Sequence, residues 1–344
     1  MFREQKNRVL PAAVLGGSAL LGVAWTRYRR EIRRQRLRAS TGSQIAETPA
    51  GPIEYAEAGK GQPVLVVHGA GGGVDQGLTF GETLAERGFR VIAMSRFGYL
   101  RTPLPDDASP QAQADAHAHL LDSLGVSCAA ILGASAGGPS AMQFALRHPD
   151  RTAALVLLVP LAWAPRPEGT APVRIPRGTR FLFETALQSD FLFWSATKIA
   201  RPFVTRAILG TPPGIVKRAE CAERKRVARM MEEILPVTAR RAGLLNDGTV
   251  AASLERYDLE RITAPTLAIS MKDDLYGTFE GARYTAEHVP NARFLGFPTG
   301  GHLGVGHNEE MLAEIAGFLK DAVLQTPAEH PLRAEVQESS PPPM

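Results

Sequence analysis

Short apolar runs recur along the chain at residues 63–67, 89–94, 129–132, 153–160 and 265–270. The first holds no polar position at all, which predicts a strand covered on both faces rather than one with a wet side. Residues 45–48 and 53–58 instead alternate and read as a strand pair turning at Gly51-Pro52, an antiparallel edge on an otherwise parallel sheet. Helical runs lie between the strands. Residues 77–87 end at Gly88, and residues 109–124 carry Pro110 in the first turn and close at Gly125, with His117 and His119 placed on the exposed side. Residues 139–147 space Met142, Phe144, Ala145 and Leu146 on a helical period. A short strand at 292–297 precedes a helix over 309–324, capped by Asn308, whose Met311, Leu312, Ile315 and Leu319 form one face.

Strand and helix therefore alternate over residues 43–162 and again over 263–325. Between them, residues 163–262 contain no clear parallel strand. Helices are expected there at 179–188, 191–199, 202–209, 216–235 and 236–245, separated by Pro and Gly clusters at 165–176 and 210–214. Phe181, Phe183, Phe191, Phe193, Trp194 and Phe203 supply its aromatic core, with one or two of them available to line an apolar pocket. The tail, 326–344, has five prolines and little to pack, and is predicted to be disordered.

Residues 1–38 break the pattern. Positions 9–26 are free of charge, and as a helix they would span about 27 Å against a hydrocarbon core of about 30 Å. Three readings are open: a single membrane anchor, a cleaved export signal, or a buried or surface helix. The anchor is the expectation, because Trp25 and Tyr28 sit where interfacial aromatics belong and no small-x-small cleavage site precedes the arginines. Seven arginines follow the apolar stretch and three basic residues precede it, so the body is expected on the cytoplasmic side of the cell membrane. A polar linker at 39–44 would join the two.

Charge then changes one conclusion. Ten Lys and Arg in residues 1–40 oppose only Glu4 and Glu31, and this excess outweighs the net +4 of the whole chain. The body is thus mildly acidic, and a nucleic-acid partner loses its main support. Two cysteines make no disulfide scaffold, and Cys128 reads as a small core residue. No CxxC or HExxH spacing occurs, so neither a metal nor another cofactor is expected. The hydrophobic fraction of 44% is ample for one large core with an insertion.

The stretch that carries chemistry is Ile131-Leu132-Gly133-Ala134-Ser135-Ala136-Gly137-Gly138, a strand running into Gly-x-Ser-x-Gly and then a helix. A serine on so sharp a turn stands with its hydroxyl exposed at the carboxyl end of a buried strand, and Gly133 and Gly137 leave room for the close approach this needs. The Ala136 N–H would point where negative charge develops on an attacked carbonyl. A serine hydroxyl needs a base and a group to orient that base. Asp273-Asp274 and His302 each follow a later strand, and His302 alone among eight histidines lies in a Gly-Gly-His context after the last strand, with His307 as the fallback.

Taken with His68-Gly69-Ala70-Gly71-Gly72-Gly73 after the strand at 63–67, Gly98-Tyr99 after the strand at 89–94, and His148-Pro149-Asp150-Arg151 before the strand at 153–160, this elbow resembles the α/β-hydrolase superfamily. The resemblance covers roughly residues 43–325. It implies an α/β fold with a mostly parallel sheet, a helical cap over 163–262, and a triad of Ser135, His302 and an acid. That acid is Asp274 in the family's register, although Met271 stands where the register has glycine, and Asp273 is the neighbour that could replace it. The oxyanion hole would use the N–H groups of Ala136 and Ala70, or Gly71 if the loop shifts by one. The implied activity is hydrolysis of a small or lipid-like carboxylic ester through an acyl-enzyme. A carbon–carbon bond hydrolase, lactonase, thioesterase, acyltransferase or non-catalytic ligand-binding member stays open on the same residues.

Overall fold

The computed structural model describes residues 6–165, 185 and 187–325. Strands β1 (Gln44–Thr48), β2 (Gly51–Ala58), β3 (Gln62–Val67), β4 (Phe89–Met94), β5 (Ala129–Ala134), β6 (Thr152–Leu158), β7 (Thr266–Met271) and β8 (Ala292–Phe297) form one sheet in the order β1-β2-β4-β3-β5-β6-β7-β8. β1 and β2 pair antiparallel, β2 joins β4 antiparallel, and the other pairs are parallel. The β1–β2 turn falls at Pro49-Ala50, between the paired Thr48 and Gly51, so Gly51-Pro52 opens β2 instead of making the turn.

Every position of β3, β6 and β7 is buried, which explains why their sequences carry no alternation. Val64 and Val66 face one layer, with Leu84 of helix α2 (Val74–Glu86) and Met311, Ile315 and Leu319 of the carboxyl-terminal helix (Asn308–Gln325). Leu65 and Val67 face the other, with α3 (Pro110–Ser123) and α4 (Gly138–Arg147). Each fully buried Leu, Ile or Val side chain contributes about 1.5–3 kcal/mol, so this two-sided core is the rigid frame on which the loops stand. His117 proves to be fully buried, not exposed, with Nε2 3.2 Å from Ser140 Oγ, and burial pushes its pKa down to about 3. Ala114, Ala116 and Ala118 give α3 no apolar contrast from which the inward face could be read.

The insertion between β6 and β7 holds α5 (Asp190–Ile199), α6 (Arg201–Ala207), α7 (Pro213–Arg218), α8 (Cys221–Glu233) and α9 (Arg241–Ala252). The single helix expected at 216–235 is two, broken at Ala219 and Glu220. The helix expected to end at 245 runs on to Ala252, because its inward residues are Gly243 and Asp247, which apolar spacing does not reveal. Most of the expected helix at 179–188, with Phe181 and Phe183, and the tail at 326–344 lie outside the described residues.

Helix α1 spans Lys6–Ser40. Its Tyr28, Ile32, Gln35 and Ala39 are buried at spacings of four, three and four, a stripe along one helical face. That stripe sits on the insertion: Tyr28 packs on Phe191 and Trp194, and the Glu31 carboxylate accepts from Trp194 Nε1 at 3.0 Å and Lys198 Nζ at 2.9 Å. The arginine-rich segment is therefore part of the folded body, and residues 39–40, expected as linker, are its last turn. Among the described residues no helix is long and apolar enough to cross a membrane. The anchor expected over 9–26 falls mainly on positions whose side chains are outside the described ones.

Candidate active site

Ser135 follows β5 directly, at φ +50°, and leads through a single 3-10 turn (Ser135–Gly137) into α4. This left-handed backbone costs a non-glycine residue about 1–3 kcal/mol and needs a surround that overdetermines it. The surround is tight. A Cβ on Gly137 would lie 2.4 Å from the Val67 carbonyl oxygen, and one on Gly133 would lie 2.5 Å from Ala141 Cβ, so both positions tolerate only glycine. The Ser135 carbonyl is tied down by Leu161 N–H at 2.9 Å.

His302 stands on the loop after β8, with Nε2 2.9 Å from Ser135 Oγ and Nδ1 2.8 Å from Asp274 Oδ2. Asp274, on the loop after β7, also accepts the Thr278 hydroxyl on Oδ2 and the Tyr276 N–H on Oδ1 at 2.8 Å. Thr278 is in turn 2.9 Å from Ser270 Oγ. Asp273 points elsewhere: its Oδ1 accepts Gly301 N–H at 2.8 Å and so fixes the turn that presents His302. The two adjacent aspartates divide the work, one on the imidazole and one on the loop beneath it. His307 lies against Phe297, its ring 4.4 Å away, and Nδ1 reaches only Glu310. With a carboxylate on Nδ1, the imidazole presents Nε2 as the acceptor for a serine proton.

A cap segment holds these loops together in a way the sequence did not suggest. The Gly210 carbonyl accepts N–H groups from both Leu275 (2.9 Å) and His302 (3.3 Å), and Thr211 Oγ1 accepts from Leu303 N–H at 3.3 Å. Tyr276 stands edge-on to the His302 ring, centroids 4.8 Å apart, and its hydroxyl donates to the Ile208 carbonyl at 2.8 Å. The Tyr276 side chain is half exposed, yet desolvation at its hydroxyl, then the nearby Asp274 charge, raise its pKa, which keeps the phenol a donor. The only sequence signal was the Gly210–Gly214 cluster, which reads as a helix break.

The loop after β3 passes Ser135 closely, since a Cβ on Gly69 would lie 3.0 Å from Ser135 Cβ. Ala70 is exposed and Ala136 partly so, while the Gly71 N–H points to the Tyr99 hydroxyl at 3.3 Å. Arg96 reaches under this loop: its N–H donates to His68 Nε2 at 3.0 Å and its Nε to the His68 carbonyl at 2.8 Å. The His68 proton therefore sits on Nδ1 and donates to the Gly69 carbonyl at 2.7 Å; burial and then the Arg96 charge hold its pKa well below the usual value. Asp247 of the cap pairs with both terminal nitrogens of Arg96 at 2.7 Å and accepts from Tyr99 at 2.5 Å. A second line comes from Arg240, fully buried, which donates to the Gly72 carbonyl and to Asp75. Asp75 also takes Arg38 of α1 at 2.6 Å. Burial works against the Asp75 charge, but Arg240 and Arg38 more than offset it and hold the carboxyl below its usual range.

These strand-end loops, in this topology, are those of a known fold. The sequence model of the α/β-hydrolase fold matches residues 62–307, and the chain belongs to that family. A solved α/β-hydrolase fold protein from Nakamurella multipartita is 30% identical, with a TM-score of 0.60 over 81% of this chain and 99% of its own. Among curated relatives, the hydrolase YcgS of Bacillus subtilis is 38% identical over 108 residues, 31% of this chain and 37% of that protein. The 2-hydroxy-6-oxo-6-phenylhexa-2,4-dienoate hydrolase of Comamonas testosteroni is 31% identical over 113 residues, 31% of this chain and 40% of that protein. The chain thus spans about two fifths of the length of these curated relatives.

Proposed function

We propose that the chain is a serine hydrolase that cleaves a small or lipid-like carboxylic ester. The observation that carries this reading is His302, which joins Ser135 and Asp274 through its two ring nitrogens at 2.9 and 2.8 Å. Ser135 Oγ attacks the ester carbonyl carbon while His302 Nε2 takes its proton. The carbonyl oxygen becomes an oxyanion that accepts from the N–H groups of Ala70 and Ala136. His302 then returns the proton to the departing alcohol, leaving an acyl-Ser135. Water repeats the sequence with the same base and releases the acid. Asp274 orients the ring and stabilises the imidazolium. Each oxyanion donor is worth about 2.7–4 kcal/mol, so the network beneath the loop at 68–73 matters as much as the base.

A carbon–carbon bond hydrolase on the same residues is the second reading, supported by the likeness to the Comamonas enzyme. For residues 9–26 we retain a single membrane-spanning helix with the body on the cytoplasmic side. The test is a fluorophosphonate probe on the full chain, with the adduct mapped by mass spectrometry. Labelling of Ser135 that vanishes in Ser135→Ala and His302→Ala supports an activated nucleophile; a folded protein that does not label overturns it. Product analysis with esters and with vinylogous 1,5-diketones then separates the two readings.

A further inference from the structure

The outer corner of the cap does not look like the surface of an ordinary soluble enzyme. Ile199, at the end of α5, is 85% exposed, and Phe203, on α6, is 45% exposed; Leu192 lies seven residues before Ile199 and so shares its helical face. Arg201 and Arg206 are exposed beside them, and neither has a carboxylate partner among the described residues. From residue 191 to 219 the chain has five basic residues and no acidic one. The neighbouring α1 adds to it along the edge that touches α5: Trp25 is half exposed with its ring 5.7 Å from Phe191, and Arg29, four residues on, is exposed with its guanidinium 5.8 Å from the Trp25 ring and no acidic partner among the described residues. The buried face of α1 is glued to α5 by the Tyr28, Phe191 and Trp194 rings. The Trp25–Arg29 edge of α1 is therefore continuous with α5, basic and apolar together, on a body whose remaining charge is mildly negative.

We propose that this corner, α5 and α6 with the Trp25–Arg29 edge of α1, lies in the headgroup layer of an anionic lipid bilayer. Interleaved arginines and large apolar side chains match such a surface: the cations meet lipid phosphates, and Ile199, Phe203 and Trp25 enter the acyl boundary. The inference deepens the proposed function, because α6 runs straight into Gly210 and Thr211, which contact the loops carrying Asp274 and His302. A lipid acyl ester taken from the surface would enter next to the nucleophile.

The test uses the full chain in a Cys221→Ser background, since Cys128 is buried. A nitrobenzoxadiazole probe is placed through Ile199→Cys, Phe203→Cys or Lys60→Cys, the last an exposed position before the amino end of β3, opposite the site. Each protein is mixed with phosphatidylcholine vesicles, with or without phosphatidylglycerol, bearing nitroxide-labelled lipid. Strong quenching at 199 and 203, little at 60, and loss of that quenching without phosphatidylglycerol or in Arg201→Glu/Arg206→Glu is the expected result. Sedimentation with vesicles while 199 and 203 quench no more than 60 overturns the inference and leaves the anchor standing; failure to sediment overturns both. Fluorophosphonate labelling of Ser135 in the same samples reports the chemistry separately.

Discussion

The core and the cap of this molecule are held together by different physics. The core is two layers of aliphatic side chains on a sheet whose central strands are buried at every position, and it presents Ser135 on a strained turn held by close glycine contacts and the Leu161 N–H. The cap instead meets the core through buried charge. Asp247 with Arg96 and Tyr99, and Asp75 with Arg240 and Arg38, cross from cap and α1 to the glycine loop beside Ser135. Apolar burial is non-directional and forgiving, whereas a desolvated ion pair is stable only in one geometry. The difference places tolerance in the sheet and angular control in the cap.

The comparison breaks most sharply at the nucleophile. Ser135→Ala or His302→Ala should lower kcat by about a million-fold with little change in thermal midpoint, read by ester turnover and calorimetry. Asp274→Asn should cost about ten-thousand-fold and Asp273→Asn far less; equal losses would show that the two aspartates do not divide roles as the contacts indicate. Next, Asp247→Ala leaves Arg96 buried without its partner and should destabilise the fold by about 3–5 kcal/mol, measured by denaturant unfolding. Asp75 gives the pH dependence. Its folded pKa lies below the unfolded one, so its contribution is present above the unfolded value and lost as pH falls through the folded one. The thermal midpoint should fall on acidification below about pH 4, and Asp75→Asn, although less stable at neutral pH, should show a shallower fall. The smallest effect is expected for Tyr276→Phe, which loses one hydrogen bond to the Ile208 carbonyl and should cost about 1 kcal/mol.

Much of the core was legible because its signals are local. The unbroken apolar run of β3, the Gly-x-Ser-x-Gly turn and the Asn308 start of the last helix each lie within a few residues of one another. The contacts that hold the site are not local. Arg96 and Asp247 are far apart in sequence, and nothing in a helix containing Gly243 and Asp247 announces that its polar side faces inward. His117 was misplaced for the same reason, since an alanine-rich helix has no apolar stripe to betray its buried face. Residues 27–38 read as a basic flank, yet Arg38 ends in a carboxylate two steps from the loop at 68–73. Hydropathy records what a residue prefers, not which partner will meet it.

The carbonyl of Gly210 has an implication for how such enzymes diversify. Because it accepts N–H groups from both the acid loop and the histidine loop, the insertion is not a detachable accessory. Exchanging it for the insertion of a relative would remove the brace shared by the loops that carry Asp274 and His302. A successful graft has to carry over the short segment from Ile208 to Thr211 unchanged.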